Sequence, residues 1–469
     1  MITPILDGSC KKPLYEQLYE YIKEEIRSGR LAAGEKLPSK RTLASYLKVS
    51  RSTVEMAYEQ LAGEGYIRAR ARSGFYVRQA ERTFKRPASQ AAEWGREPEN
   101  TLSVRFDLRT SGVDTEKFPF TIWARLMRDV LSENRQELLL SVHPQGLPQL
   151  RRCISRYLYE YRRVEASPEQ IVVGAGTEYL LGLFIQLMGM DRRYAVEEPG
   201  YPRVNRILAN YGICPAYIPV DEEGLISGEL RRSGAEIVHV TPSHQFPTGA
   251  VLSAGRREEL LNWARQGEER YILEDDYDSE FRFLGKPVPS LQGMGGQEHV
   301  VYFYTFAKSL APSMRISYMV LPPAMMRCFR EKFAGYSSSV PSFEQYTLCR
   351  FMEQGYYERH LNRMKTLYRT RQDALGKALS VPGLKLIGMD AGLHFMAEVD
   401  TARLTGRRME ERELVERAAR AGIRLRGLSE YYVSGHCPEE PVRILIGYGA
   451  YDAEELPQAA ELLLNAWKE

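Results

Sequence analysis

The spacing of apolar positions divides the chain into three stretches. Up to residue 78 the rhythm is helical and then extended. Leu14, Leu18, Tyr21, Ile22 and Ile26 recur at three- and four-residue intervals, with Gly29 as a stop, and predict a first helix. Leu37-Pro38 marks a turn, and Ser39 can cap a short second helix that turns Leu43 and Leu47 inward. Ser50 can cap a third helix with Val54, Ala57, Tyr58 and Leu61 on one face and Gly65 past its end. Tyr66–Arg70 and Phe75–Val77 flank Arg72-Ser73-Gly74, which predicts a hairpin with a basic tip. Residues 79–104 lose all periodicity and predict a linker. From residue 105 to 469, short apolar runs alternate with amphipathic stretches. Candidate strands are Ile171–Val173, Tyr194–Val196, Ile237–Val240, Tyr271–Leu273, Val300–Tyr304 and Ile316–Val320; Glu178–Met188 and Gly255–Arg265 suit intervening helices. That alternation predicts an α/β domain around a mostly parallel sheet.

Composition narrows the class without naming a function. At 469 residues, 43% of them hydrophobic, the chain is long enough for two or three domains. No apolar run approaches a membrane span and the first residues lack a secretory pattern, so no membrane partner and a cytoplasmic location are expected. The six cysteines are scattered without metal spacing, so no metal is expected. Charge is more informative. Residues 1–78 carry 14 Lys and Arg against 9 Asp and Glu, while the remainder carries 50 against 52. A basic module on a near-neutral body points to a polyanion as partner of the first segment.

Two helices joined by a short turn are a DNA-reading arrangement when the second one offers polar groups at its N-terminal end. Here that end reads Ser50-Arg51-Ser52-Thr53, with Arg41 on the preceding helix. On the following strand Arg68, Arg70 and Arg72 alternate with alanines, so a period of two puts all three on one face, suited to phosphate or minor-groove contact. Residues 11–78 resemble the GntR-type winged helix-turn-helix. The resemblance rests on Pro13-Leu14-Tyr15-Glu16-Gln17-Leu18, on the run from Gly34 to Ala44, and on Ser50-Arg51-Ser52-Thr53-Val54, in that order. It implies a domain, residues 1–78, that binds double-stranded promoter DNA through Arg41, Arg51, Ser52, Thr53, Arg68, Arg70 and Arg72.

The long third segment places chemistry at the ends of its predicted strands. Gly174-Ala175-Gly176-Thr177 follows one strand and opens a helix, a nest for phosphate. Glu274-Asp275-Asp276-Tyr277 ends a second strand, and Thr305-Phe306-Ala307-Lys308-Ser309 a third, with Arg315 seven residues past the lysine. A phosphate nest, a carboxylate, a lysine and a cation are what pyridoxal phosphate requires. The lysine forms an imine with its aldehyde, the carboxylate keeps its ring nitrogen protonated, and the rest hold its phosphate.

Residues 105–469 resemble the fold type I aminotransferases. The carrying motifs are Gly176-Thr177, Glu198-Pro199-Gly200-Tyr201-Pro202, Pro247-Thr248-Gly249, the run from Phe306 to Arg315, and Val442-Arg443-Ile444-Leu445-Ile446-Gly447-Tyr448. The resemblance implies pyridoxal 5′-phosphate bound to Lys308. Asp275 would meet the ring nitrogen and Tyr277 the 3′-oxygen. Gly176, Thr177, Thr305 and Arg315 would hold the phosphate, and Tyr201 would stack on the ring. Arg443, with Arg203, would take a ligand carboxylate. Glu274 and Asp276 compete with Asp275 for its role, as Arg424 and Arg426 do with Arg443. One departure stands out: where aminotransferases have Asn before Pro-Thr-Gly, this chain has Phe246, which donates no hydrogen bond. Tyr277 or His244 would have to compensate.

The two halves in this order resemble the MocR-type regulators. That resemblance implies a head-to-tail homodimer and a transcription regulator that senses an amino compound, or pyridoxal phosphate itself, by imine exchange at Lys308. A working aminotransferase with an accessory N-terminal domain is the alternative, and transaminase activity stays open. Effector identity, operator sequence and the sign of regulation are not written in these motifs.

Overall fold

A computed structural model describes residues 4, 6–7, 12–70, 73–78, 104–110, 112–133, 136–285, 289–438 and 440–468. Arg72 and the linker up to residue 103 therefore lie outside the described residues. The chain forms two compact units, Met1–Asn100 and Thr101–Glu469.

In the first unit the helices are α1 (Leu14–Arg27), α2 (Lys40–Leu47) and α3 (Arg51–Gly63), followed by β1 (Ile67–Arg70) and β2 (Gly74–Val77). The caps act as the sequence suggests. Ser39 Oγ accepts from the Thr42 amide and Ser50 Oγ from the Thr53 amide, both at 3.1 Å, satisfying amide groups the helices leave over. Leu18, Ile22, Leu43, Val54, Ala57, Tyr58, Leu61, Ile67 and Val77 form one buried core. Each buried Leu, Ile or Val among them contributes about 1.5–3 kcal/mol. β1 and β2 pair antiparallel, Ile67 opposite Val77. The Leu37 amide donates to Phe75 O and the Val77 amide to Glu35 O, both at 2.9 Å, adding a third edge to the wing.

The second unit holds a short parallel pair, β3 (Phe106–Asp107) with β14 (Ile423–Arg424). Its main sheet contains β4 (Ile171–Gly174), β5 (Tyr194–Glu198), β6 (Ala216–Asp221), β7 (Gly224–Leu225), β8 (Ile237–Val240), β9 (Tyr271–Asp275), β10 (Val300–Thr305) and β11 (Ser317–Val320). They lie in the order β4-β11-β10-β9-β8-β5-β6-β7. β10, β9, β8, β5 and β6 run parallel in succession; β11 and the short β7 run against their neighbours. β4 is antiparallel to β11 and so shares the direction of the parallel set. The C-terminal ends of β4, β5, β8, β9 and β10 consequently open on the same edge, where open α/β sheets bind ligands.

A smaller antiparallel sheet follows. It joins β12 (Leu384–Ile387), β13 (His394–Val399), β16 (Val442–Gly447) and β15 (Arg426–Gly427) in that order. Helices Tyr356–Ala378, Glu411–Arg420 and Leu456–Lys468 share its apolar cluster, which includes Leu375, Leu414, Ile444 and Trp467. Among the described residues no helix is long and apolar enough to cross a membrane.

Candidate cofactor site and DNA-reading face

The acidic run at the end of β9 shows how a period of two assigns roles. Ile272 and Glu274 face one side of the sheet, Leu273 and Asp275 the other. Glu274 accepts from the Leu291 and Gln292 amides at 2.7 and 3.0 Å. Burial pushes its carboxyl up to about 7, and neighbouring Asp276 adds to the rise. Asp276 accepts from Arg162 Nε and Ser279 Oγ at 2.8 and 2.9 Å, and from the Tyr302 hydroxyl. Glu274 is thus fully occupied by the protein, and Asp276 is held through Oδ2 alone, its Oδ1 being buried without a hydrogen-bond partner as well.

Asp275 differs. It is buried, its Oδ2 lies 3.4 Å from His239 Nε2, and its Oδ1 is buried without a hydrogen-bond partner. It lines a pocket with Thr177, Glu178, Tyr201, Arg203, His239 and Phe303. The pocket therefore singles out Asp275, the acid that the family resemblance puts first over Glu274 and Asp276.

Opposite this wall, β4 ends at Gly174 and the helix Thr177–Met188 begins, with Gly176 at φ +100°. A Cβ on Gly176 would sit 2.2 Å from Arg315 Nη2, so only glycine admits the guanidinium there. Arg315, itself left-handed at φ 52°, donates to Glu178 Oε2 at 2.5 Å. Arg203 donates to the other oxygen of Glu178 and lies 5.6 Å over the Tyr201 ring. The structure brings Arg203, Arg315, Tyr201, Thr177 and Gly176 together, although the sequence groups Arg203 with Arg443; Glu178 and His239 are members it did not propose. For His239, a polar residue inside the apolar run Ile237–Val240 was the available signal.

Lys308 lies on the short helix Phe306–Ser309, capped by Thr305, whose Oγ1 accepts from the Ala307 amide at 3.2 Å. Its Nζ donates to Thr110 O at 2.9 Å. Burial pushes the amine down to about 8, against the pull of Asp278, and Arg203 lowers it further. Such an amine is partly unprotonated near neutrality and able to attack a carbonyl carbon.

The loop that departs from the aminotransferase pattern is tightly built. Glu197 is buried; its Oε2 accepts from the Thr241 amide and hydroxyl at 3.1 and 2.6 Å and from Gln245 Nε2 at 3.3 Å. Phe246 packs edge-on against Tyr201, His394 and Tyr431, with ring centroids 5.3, 5.4 and 5.4 Å away. The Tyr277 hydroxyl lies 3.0 Å from His244 Nδ1 and donates to His244 O at 3.1 Å. Asp278 Oδ2 is 2.9 Å from the same Nδ1, and His244 Nε2 is buried without a partner. Burial, with Asp278 and Asp275 nearby, holds the Tyr277 phenol well above its usual value.

The carboxylate arginines separate as well. Arg443 donates through Nη2 and Nε to Glu398 Oε2 at 3.2 and 3.3 Å, across the β13–β16 pair. Arg426 and Thr110 both lie against the Tyr431 hydroxyl, and the Thr110 carbonyl accepts from Lys308 Nζ. Arg424, on β14, is exposed.

On the first unit, Arg41, Arg51, Ser52, Arg68 and Arg70 are exposed and Thr53 is half-buried beneath the Ser50 cap. Among the described residues Arg41, Arg51 and Arg68 have no ion-pair partner, whereas Lys12, Lys23, Arg30 and Lys40 are each paired with glutamate. Arg70 lies 4.6 Å over the Tyr76 ring.

Comparison with known proteins adds family to geometry. The family model of bacterial regulatory proteins, gntR family, matches residues 14–77, and that of aminotransferase class I and II matches residues 108–463. The HTH-type transcriptional regulator YdeL of Bacillus subtilis is 37% identical, covering 100% of this chain and 99% of its own. The probable rhizopine catabolism regulatory protein MocR of Rhizobium meliloti is 32% identical, over 99% of this chain and 95% of its own. In fold, the large unit is similar to Pyrococcus horikoshii kynurenine aminotransferase in complex with PMP, with a TM-score of 0.68 and 22% identity over 78% of this chain and 91% of that one.

Proposed function

The chain belongs to the MocR-type HTH transcriptional regulators, a gntR-family reading domain joined to an aminotransferase-like domain, and from that premise we propose that it is a pyridoxal phosphate-dependent sensor of an amino compound. The observation that carries this is the conjunction of a Lys308 amine held at about 8 with a buried Asp275 oxygen that has no partner in the protein. The residues fit the cofactor. Asp275 Oδ1 offers an acceptor for a protonated ring nitrogen, and the glycine cradle at Gly176 faces Arg315.

Bound there, pyridoxal phosphate supplies an aldehyde that condenses with amines and a ring that draws electrons from them. Lys308 would hold the cofactor at its aldehyde, the position for which an effector amine would compete. Asp275 keeps a proton on the ring nitrogen, oriented by His239. Arg315, Thr177, Thr305 and the amides around Gly176 hold the phosphate, and Tyr201 covers the ring. Tyr277 would meet the 3′-oxygen by turning its one hydroxyl proton away from the His244 carbonyl, with His244 and Asp278 beside it; this would replace the donor that Phe246 lacks. A carboxylate on the effector goes to Arg203, with Arg443 or Arg426 at its other end. Two copies pair head to tail, and effector binding changes the affinity of Arg41, Arg51, Ser52, Thr53, Arg68 and Arg70 for promoter DNA. That change requires the effector to bind one arrangement of the dimer more tightly than the other.

The test is a visible absorption titration of the full chain with a panel of amino acids and ω-amino acids, paired with DNA binding. One compound should shift the band, leave it there, and change DNA affinity. A band that bleaches and returns with a keto acid, with DNA affinity unmoved, would make the protein an aminotransferase instead.

A further inference from the structure

The two arginines assigned to different ligands are held by one carboxylate. Glu178 Oε2 accepts from Arg315 Nη2 at 2.5 Å, and Glu178 Oε1 accepts from Arg203. Arg315 also reaches Ala175 O, at 3.4 Å, so its open fork lies over the Ala175–Thr177 turn. A Cβ on Gly176 would lie 2.7 Å from Glu178 Oε2, which puts this oxygen in the same small space as the guanidinium. Burial alone would raise the Glu178 carboxyl; the two guanidiniums outweigh it and hold the group below its usual range.

A carboxylate in that place has two bland uses. It favours the N-terminal turn of its helix, and it joins neighbouring side chains by an ion pair that is partly open to water. Neither explains its position over the turn that the proposed function gives to a phosphate. A phosphate approaching Arg315 meets a second anion already bound to the same donor. It must displace Glu178 Oε2, and Arg203 anchors the competitor by its other oxygen.

We propose that Glu178 is a built-in competitor of the cofactor phosphate at Arg315, held in register by Arg203, and that it sets the cofactor concentration at which the site fills. The inference rests on the cofactor reading above. It concerns this chain's own residues and involves no covalent step.

The experiment compares wild type with Glu178→Gln, each freed of cofactor, by titrating pyridoxal 5′-phosphate and, separately, pyridoxal without its phosphate. Lysine-adduct absorbance and quenching of protein fluorescence report occupancy. The glutamine keeps size and loses charge, so the variant should bind pyridoxal phosphate about three- to tenfold more tightly, a gap that narrows at high salt because the pair is partly solvent-exposed. Pyridoxal should bind both proteins alike. Equal or weaker binding of the phosphate by the variant overturns the proposal, as does the same change for both aldehydes, which would mark a structural role. Wild type that forms no adduct with either aldehyde removes the cofactor reading itself, and the proposal with it.

Discussion

In the reading domain Arg41, Arg51 and Arg68 stand exposed with no ion-pair partner among the described residues. In the large domain Arg162 and Arg371 are buried against carboxylates, at 2.7 Å from Asp276 and 2.6 Å from Asp114. An exposed unpaired guanidinium keeps its water and gives up little of it until a polyanion arrives, so it adds affinity in proportion to the counterions released. A buried paired one has already lost its water, and its worth lies in fixing where the partner acid points. Arg162 holds Asp276 by its Oδ2 on the other face of the strand, while Asp275 lines the pocket beside Tyr201. One side chain therefore does opposite work in the two regions: recognition where it is left open, placement where it is closed in. Changes to the two sets should have separable consequences.

The largest effect belongs to Lys308. Lys308→Ala should abolish the visible cofactor band completely while leaving DNA binding without effector within about twofold of wild type, because no DNA-facing cation is touched. In wild type, adduct formation should speed up as pH rises through about 8 and then level off, since only the unprotonated amine reacts and burial depresses its pKa to that value. Stopped-flow absorbance across pH checks the sign; a rate that falls with rising pH would contradict it. Next comes Arg162. Arg162→Leu strands Asp276 in the interior and should cost the large domain about 3–5 kcal/mol, whereas Arg162→Leu combined with Asp276→Leu should recover most of it. Urea unfolding of the three proteins measures both numbers. A single variant as stable as wild type would mean that this pair places nothing.

Much of this architecture was legible because its signals are local. The capping serines Ser39 and Ser50, the apolar face Val54–Leu61, and the strand–turn–helix at Gly174–Thr177 all lie within a few residues of what they control. The acid of the site was legible only through the family resemblance, which put Asp275 first, and not from local chemistry. Glu274, Asp275 and Asp276 are adjacent in sequence and equal in chemistry, and only knowing which face of β9 meets the helix Thr177–Met188 separates them. Arg162 was missed for a related reason. It sits 114 residues before Asp276, on a short helical turn with no motif of its own. Glu178 read as an ordinary helix residue because the guanidiniums that give it meaning arrive from positions 203 and 315.

On the reading side the effects are smaller and graded by contact type. Arg51, at the exposed start of α3, should cost about 1–3 kcal/mol of specific DNA binding when replaced by alanine, and relax selectivity at one base position. Arg68→Ala on the wing should weaken specific and nonspecific DNA alike and lower the slope of log affinity against log salt by about one. Titrations at several salt concentrations on operator and scrambled duplexes distinguish the two. Identical behaviour of both variants would erase the distinction between base reading and phosphate contact within the module.

The smallest effect lies in the turn that sets the angle between α2 and α3. Lys48 closes α2 in the left-handed region, at φ 53° and ψ 39°, with its amide donating to Ala44 O. A side chain there crowds the following carbonyl, at a cost of about 1–2 kcal/mol that glycine escapes, while glycine loses about 0.5–1 kcal/mol more chain entropy on folding. The two terms oppose, so Lys48→Gly should stabilise the reading domain by between about 0 and 1.5 kcal/mol. It also deletes an exposed cation beside the reading helix. If Lys48 serves only the turn, DNA affinity stays at the wild-type level as the domain's melting temperature rises. If affinity falls instead, Lys48 joins Arg41 and Arg51 as an open cation of the reading face, held in a strained conformation where a ligand, and not the fold, gains from it.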